Sequence, residues 1–128
     1  MSYADRIDGG DLDGVAALFE HATWRADATG QVLQGVEQVR RVYDHVVLYD
    51  GVPRTKHLIT NLVIEVDGDA ASARCFFTVL QGVEQGEPIQ IILSGRYVDR
   101  FEKLDGAWRF ADRRFIADLI GDQSRHFR

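Results

Sequence analysis

The order of two apolar periodicities along the chain limits its fold more than any other feature. Helical spacing is confined to the first third, whereas three long runs at 55–66, 70–81 and 89–104 are rich in Ile, Val, Leu, Phe and Thr, as β-strands are. Asp105-Gly106, a strong hairpin signal, leads into a final strand over 107–115. Helices followed by a long antiparallel meander are typical of an α+β fold with the helices on one side of the sheet.

The first third predicts two or three helices. Tyr3 and Ile7 share one face of a first helix, which Gly9-Gly10 ends. Asp11 is the expected N-cap of a second helix, and helical spacing returns over 36–47. Short strands are expected between these helices, at Ala22–Ala26 and near Val32-Leu33. We therefore predict a single domain over residues 1–128, a cone-shaped α+β barrel of two to three N-terminal helices packed on a strongly curved, mostly antiparallel sheet.

Composition excludes several classes of function. The 128 residues, 45% of them apolar, are enough for one core, and 20 acidic against 15 basic residues give a charge of −5, which does not fit a nucleic-acid binder. Cys75 is the single cysteine and lies in an apolar run, where it is expected to be a small buried hydrophobe. Neither a metal-ligand spacing nor a Gly-rich phosphate loop is present in the sequence, so we expect neither a metal site nor a nucleotide site.

The location of the protein follows from its apolar segments. No apolar run approaches the roughly 20 residues that span a bilayer, so no membrane association is expected. The first residues, Met1–Arg6, carry charge and no apolar signal region. We expect a cytoplasmic protein.

Three segments of the chain form an ordered set of motifs. They comprise Tyr3, Asp8, Asp11, Val15–Phe19 and Trp24, then Thr55–Asn61 with its following turn, then Gly95–Phe101 with Asp105-Gly106, Trp108, Arg109 and Arg113. In order and spacing this set resembles the SnoaL-like branch of the nuclear-transport-factor-2-like superfamily over nearly the whole chain. The match is specific for the fold and much less specific for the reaction.

The resemblance implies roles for three residues. The family members most similar to this chain, scytalone dehydratase, the bile-acid 7-alpha-dehydratase and lindane dehydrochlorinase, use an Asp at the end of the first helix with a His at the start of the first long strand, which match Asp8 and His57. Tyr3 stands where the bile-acid dehydratase has a Tyr. His57 would be the general base, Asp8 would hold its ring, and Tyr3 would hydrogen-bond a departing hydroxyl or an enolate.

The pocket of such a fold would hold a small apolar ligand. Trp24 falls where the dehydrochlorinase has a pocket Trp, and we expect further apolar walls from Phe77 and Ile92. Arg96 would face the cavity and bind an anionic substituent, and Asn61 with Arg96 keeps epoxide hydrolysis open as a third reaction. Arg96 could equally pair with an acidic residue on a neighbouring strand.

Strand alternation opposes the catalytic interpretation of His57. One face carries His57 with Ile59, Asn61, Val63 and Glu65. The other face carries the more apolar set, Leu58, Thr60, Leu62 and Ile64. A β-bulge in this strand would return His57 to the apolar face.

Two classes of function follow from the sequence. The first is a cofactor-independent lyase or isomerase, dehydratase-like, acting on a small apolar molecule that contains a ring. The alternative is a non-catalytic ligand-binding or assembly module of the same fold. Because the strands are apolar on both faces, we expect a homodimer or homotrimer in either case.

Overall fold

The computed structural model describes residues 2–128 and consists of three short helices and six strands. The helices are α1 (Tyr3–Asp8), α2 (Leu12–Ala17) and α3 (Gly35–Val42), and a 3-10 turn, Tyr43–His45, follows α3. The strands are β1 (Thr23–Ala26), β2 (Gln31–Gln34), β3 (Thr55–Asp67), β4 (Ala70–Gln81), β5 (Gln90–Leu104) and β6 (Ala107–Ile120). The predicted order of helices and strands is confirmed.

One six-stranded sheet carries the whole fold, with the strand order β2-β1-β6-β5-β4-β3. The pair β1 and β6 is parallel, and the other neighbouring strands are antiparallel. The sheet is open, because β2 and β3 form its two edges. We call the face that packs on the helices the inner face and the opposite face the outer face. The predicted class, a cone-shaped α+β fold with a mostly antiparallel sheet, is confirmed.

Two elements have different lengths from those predicted. The third helix ends at Val42, not near 47, because Tyr43 begins the tighter 3-10 turn. The last strand continues to Ile120, since residues beyond Phe115 still pair with β5 as far as Leu93. The apolar periodicity therefore located these elements but not their ends.

Local chemistry fixes both ends of α1. A capping box starts the helix: the Ser2 side chain accepts a hydrogen bond from the Asp5 backbone, and the Asp5 carboxylate accepts one from the Ser2 backbone. The helix stops at Gly9-Gly10, where Gly10 has a φ of +79° and packs so closely that a β-carbon would overlap the carbonyl oxygen of Gly51. This turn anchors the C-terminal end of α1, which carries Asp8, against the segment that leads into β3.

A β-bulge in β3 changes which side chains face the helices. Thr60 pairs with Phe76, but Val63 pairs with Arg74, so two residues of β3 lie opposite one residue of β4. Asn61, inside the bulge, has a φ of 53°. Before the bulge the odd-numbered residues share the inner face, and after it the even-numbered residues do. The bulge that would return His57 to the apolar face is therefore present.

The buried side chains form two clusters on the inner face. One packs the helices against β1, and the other lies over β4 and β5 around Phe77 and Tyr97. Tyr3 and Phe115 pack against both clusters, so these two rings join them. Tyr3 is thus a central contact of the domain although it lies at the start of α1.

Candidate functional site

The end of α1 meets the start of β3 through a buried pair of ionisable side chains. His57 Nδ1 lies 2.6 Å from Asp8 Oδ1, and the two side chains are only 6% and 12% exposed. Asp8 also accepts hydrogen bonds from the Thr55 hydroxyl, at 2.8 Å, and from the His57 backbone N–H, at 2.7 Å. Three donors from one strand therefore fix this carboxylate. We call Asp8 and His57 the dyad.

The environment of Asp8 favours its ionised form. Burial acts to raise the pKa of the Asp8 carboxyl, but the hydrogen bonds and charge of His57 and the hydrogen bond of Thr55 outweigh burial and lower this pKa. Because Nδ1 of His57 faces the carboxylate, Nε2 is the nitrogen left to exchange a proton with a ligand. The arrangement suits a base whose ring is held in one tautomer.

Tyr3 lies next to the dyad. Its ring meets the His57 ring edge-on at a centroid distance of 6.1 Å, and its hydroxyl is 2.8 Å from the hydroxyl of Tyr43. Burial raises the pKa of the Tyr3 phenol, while the Tyr43 hydrogen bond and the charge of Arg113 act to lower it. The three residues expected to be catalytic, Tyr3, Asp8 and His57, are thus neighbours in the structure.

Arg113 provides a buried cation beside Tyr3. Its Nε and Nη2 atoms each donate to the Asp99 carboxylate at 2.9 Å, and its guanidinium lies over the Tyr97 ring at 3.8 Å and the Tyr3 ring at 4.8 Å. Burial acts to lower the pKa of Arg113, but the hydrogen bonds and charge of Asp99 outweigh it and raise this pKa. The Nη1 atom is buried and has no hydrogen-bond partner within residues 2–128. A buried charged donor without a partner is suited to a ligand oxygen.

A cavity of about 770 Å³ opens on the inner face beside these residues. Three buried side chains of its polar lining are Tyr97, Asp99 and Arg113, and the other polar residues that line it are Ser2, Tyr3, Glu20, His21, Asp105 and Arg109. Its apolar walls are Leu18, Ile59, Leu62, Ile64, Phe101, Leu104, Trp108 and Phe110. Its volume and apolar lining are those of a small-molecule site. The dyad does not line the cavity, whereas Tyr3 lines it and also meets the His57 ring edge-on.

The expected apolar wall residues lie in the core. Trp24 is buried and stacks on Phe115 at 6.2 Å, Phe77 stacks on Tyr97 at 4.4 Å, and Ile92 is 1% exposed. None of Trp24, Phe77 and Ile92 is among the described residues that line the cavity. These three residues therefore pack in the core and do not line the cavity as expected. The walls come from the middle of β3, the end of β5 and the start of β6.

Arg96 and Asn61 do not reach the cavity either. Arg96 pairs in register with Phe76 on the outer face, and it makes a two-point ion pair with Asp118 at 2.8 and 2.9 Å. Asn61 is exposed in the bulge. The expectation that Arg96 faces the cavity is wrong, because the strand alternation gives that side to Tyr97. The water site that epoxide hydrolysis would need from Asn61 and Arg96 is not formed.

Two site residues were not identified from the sequence. Arg113 lies two positions before Phe115 on β6, so the two side chains are on the same face of the strand. Because Phe115 packs in the core, this alternation indicates that Arg113 points inward. His126 is buried near the dyad, with an Nδ1 atom that has no partner in the described part of the chain. Burial, with a smaller effect of the His57 charge, lowers the pKa of His126 to about 4. No local pattern indicates the position of His126, because the C-terminal segment is placed by backbone contacts with residues 45–47.

The described residues show neither a metal centre nor a membrane span. Within residues 2–128, no group of three or more His, Cys, Asp or Glu side chains could hold a metal ion. No helix in this range is long and apolar enough to cross a membrane.

The fold is the one that solved structures with similar coordinates describe as cystatin-like or nuclear-transport-factor-2-like. A protein of unknown function from Mycobacterium tuberculosis has a TM-score of 0.73 and 33% identity, over 92% of this chain and 66% of that one. ActVI-ORFA from Streptomyces coelicolor has a TM-score of 0.76 at 18% identity (91% and 89% covered). A candidate scytalone dehydratase from Novosphingobium aromaticivorans has a TM-score of 0.71 at 24% identity (94% and 79% covered).

The family follows from the sequence match. The model of the SnoaL-like domain matches residues 1–114, and the chain belongs to this family. No curated protein matches the chain. The present chain spans 66% of the length of the Mycobacterium tuberculosis structure.

Proposed function

We propose that the protein is a cofactor-independent lyase or isomerase that acts on a small, largely apolar, ring-containing molecule. His57 is the general base, and Asp8 holds its ring and stabilises the imidazolium. The observation that carries this proposal is the 2.6 Å contact between His57 Nδ1 and Asp8 Oδ1, in a buried position next to a cavity of ligand size.

The proposed elimination balances without a cofactor. His57 Nε2 takes the proton from a C–H bond, the electrons of that bond form a carbon–carbon double bond, and the adjacent C–O bond breaks. The imidazolium then returns its proton to the departing oxygen, which leaves as water. For isomerisation the same proton returns to a different carbon. The reacting carbon would approach Nε2 past the Tyr3 ring, which lines the cavity and contacts the His57 ring.

The polar side of the cavity supports this chemistry. Tyr3 and Arg113 both line it, and Nη1 of Arg113 has no protein partner among the described residues. Each can donate to an oxygen that gains negative charge as the C–H bond breaks. The buried Asp99 keeps Arg113 fixed in this place through two hydrogen bonds.

A screen of hydroxylated ring compounds tests the proposal. Dehydration creates a conjugated double bond, which changes the ultraviolet absorbance. We expect wild-type turnover of at least one compound, a loss of roughly 100-fold or more in His57→Gln and a loss of roughly tenfold or more in Asp8→Asn. His45→Gln, at an exposed histidine, is the matched control and is expected to keep full activity. Turnover that survives in His57→Gln would contradict the role of the base.

One observation favours the second candidate, a ligand-binding module without catalysis. The cavity is lined by Tyr3 and Arg113 but not by His57, so a ligand could bind without touching the dyad. In that case the dyad would only join α1 to β3. Ligand binding that is equal in wild type and His57→Gln, with no turnover in either, would favour this candidate.

Self-association is the second part of the proposal. The outer face carries exposed apolar side chains on β3, β4 and β5, namely Leu58, Val63, Phe76 and Val98. We call these four residues the outer patch. In register, Arg74 lies between Val63 and Val98, and Phe76 lies between Thr60 and Arg96, so apolar and polar side chains alternate on this face. Exposed apolar side chains that are grouped on one face, with polar residues around them, are typical of a protein–protein contact. We propose that a second copy of the chain covers it in a homodimer or homotrimer.

A further inference from the structure

We infer that the ligand of the cavity is elongated, with an oxygenated ring at the Arg113 end and an apolar tail that leaves through a mouth at Leu104 and Trp108. Its chemical class is a ring with an oxygen substituent on one side and a linear alkyl tail on the other. The inference deepens the proposed function and rests on its claim that the cavity binds a ligand. It does not require turnover.

The cavity is long in the direction of the strands. Its lining residues on β5 extend from Tyr97 to Leu104, and those on β6 extend from Arg113 back to Ala107. At about 3.3 Å per residue, strand segments of this length span roughly 20 Å. A single six-membered ring is much shorter, so a ring alone would leave most of this length empty.

Burial decreases from one end of the cavity to the other. Asp99 and Arg113 are buried at the inner end. Phe101, further along β5, is partly buried, and Leu104 and Trp108 are 50% and 44% exposed. The cavity therefore has a closed end with charged and hydrogen-bonding groups, and an open end with apolar groups.

The open end is an apolar part of the inner face. It is lined by Leu62 and Ile64 of β3 and by Leu104 and Trp108 near the hairpin between β5 and β6, and each of these side chains is about half exposed. Leu62 and Ile64 reach the inner face because of the bulge at Asn61. An apolar tail that covers these side chains removes their surface from water and so stabilises the complex.

The closed end favours a ligand over a second copy of the chain as the occupant. Nη1 of Arg113 is buried without a partner among the described residues, and Arg113 lines the same cavity as the apolar mouth. A ligand with one oxygen and one apolar tail complements both ends at once. A neighbouring subunit would cover the mouth and leave the buried Nη1 atom unsatisfied.

The affinities of 4-alkylphenols test the inference, because these probes keep one hydroxyl and one ring and differ only in the tail. By NMR titration we expect wild type to bind 4-octylphenol at least about 50-fold more tightly than 4-ethylphenol, since each covered CH₂ group contributes about a factor of two to four. In the double variant Leu104→Ala with Trp108→Ala this ratio should fall at least about fivefold, with the affinity for 4-ethylphenol unchanged. The matched control, Val32→Ala with Leu119→Ala, removes exposed apolar side chains outside the cavity and should keep the wild-type ratio.

A bromine atom on the probe tests where the tail lies and gives a second readout if the mouth variant folds poorly. Bromine quenches tryptophan fluorescence at close range, and Trp24 and Trp108 are the two tryptophans of the chain. In Trp24→Phe, which keeps an aromatic ring in the core, Trp108 is the single emitter. We expect 4-(8-bromooctyl)phenol to quench it and 2-bromo-4-octylphenol, which carries bromine on the ring, to leave it bright.

Several outcomes would overturn the inference. A wild-type ratio below about fivefold, or no binding of either probe, shows that the cavity does not hold a tail. A ratio that is unchanged in the Leu104 and Trp108 double variant shows that the tail lies elsewhere. Quenching by the ring bromine and not by the tail bromine reverses the orientation. Weaker self-association of that double variant, together with a low wild-type ratio, assigns the mouth to a second copy of the chain.

Failure of the proposed catalysis has a different signature. It would appear as turnover independent of His57, or as no turnover of any compound, with the dependence of affinity on tail length and the quenching of Trp108 both intact.

Discussion

Asp8 and His57, 49 positions apart in the sequence, meet through a 2.6 Å contact between the Asp8 carboxylate and the His57 ring. Two local features make this contact possible. The Gly9-Gly10 turn ends α1 directly after Asp8, and the bulge at Asn61 puts His57 on the inner face together with Leu62. The dyad therefore depends on backbone geometry on both sides.

Removal of the Asp8 charge should destabilise the protein. Asp8→Asn leaves three donors of β3 with a poorer acceptor, and an amide N–H then faces one of them. We expect the free energy of unfolding to fall by about 2–4 kcal/mol, measured by urea denaturation at pH 7. Asp13→Asn is the control, since the Asp13 side chain is 93% exposed. A loss below about 1 kcal/mol in Asp8→Asn would contradict the structural role of this carboxylate.

The bulge should tolerate glycine but not a β-branched residue. Asn61 has a φ of 53°, a conformation that is strained for Val. Asn61→Val should lower the free energy of unfolding by about 1–2 kcal/mol, and Asn61→Gly should change it by less than about 0.5 kcal/mol. Thr60→Val, at the preceding strand position, is the control and should be nearly neutral. Equal stability of Asn61→Val and Asn61→Gly would argue against the positive φ.

His126 should make stability depend on pH. Its pKa is lowered from 6.5 to about 4 by burial, so the unfolded chain binds a proton on this side chain at a higher pH than the folded chain does. Its contribution is therefore fully present above about pH 6.5 and is lost as the pH falls toward 4. The loss is about 2–4 kcal/mol in total.

The variant His126→Phe isolates the pH dependence of stability that His126 causes. It removes the titrating group and keeps an aromatic ring, so the fall in stability between pH 7 and pH 4.5 should be smaller in the variant than in wild type. Urea denaturation at several pH values measures the difference, with His45→Phe at an exposed position as control. Parallel pH profiles of wild type and His126→Phe would show that His126 is protonated to the same extent in both states.

Loss of one member of the buried Arg113–Asp99 ion pair should destabilise the protein more than loss of both members. Arg113→Met leaves the buried Asp99 carboxylate without its partner and should cost about 3–5 kcal/mol of stability. The double variant Arg113→Met with Asp99→Leu removes both charges and should recover at least about half of that loss. Urea unfolding of wild type, Arg113→Met, Asp99→Leu and the double variant gives the coupling energy. A double variant that is as unstable as Arg113→Met would contradict the pairing.

The outer patch should control self-association. Phe76, 48% exposed in the single chain, lies near its centre, so Phe76→Glu would bury a charge in the proposed interface. We expect association at least about tenfold weaker in sedimentation experiments, with the fold unchanged by circular dichroism. Val32→Glu, at an exposed apolar position on β2, is the control. A wild-type protein that sediments as a monomer at all concentrations would refute the homo-oligomer.

The sequence predicted the fold better than the walls of the site. Apolar periodicity and turn residues located the long strands, because both signals are local. The family resemblance predicted that Asp8 lies next to His57. The cavity walls depend on how the sheet curves and on where the bulge shifts the alternation of β3, which no single segment specifies. For this reason Phe77 and Ile92 were expected at the ligand, although they lie in the core beneath it. Arg96 and Tyr97 alternate along β5, and only the pairing of β5 with β4 decides which of the two side chains faces the helices.

The central claim, that His57 is a base held by Asp8, is tested most directly by hydrogen–deuterium exchange into 1-tetralone, followed by NMR. This probe has exchangeable C–H bonds next to its carbonyl and needs no knowledge of the natural substrate. We expect wild type to accelerate the exchange over buffer, His57→Gln to lose roughly 100-fold or more of that acceleration, and His45→Gln to keep it. Exchange at the buffer rate with wild type, or at the wild-type rate with His57→Gln, would contradict the claim.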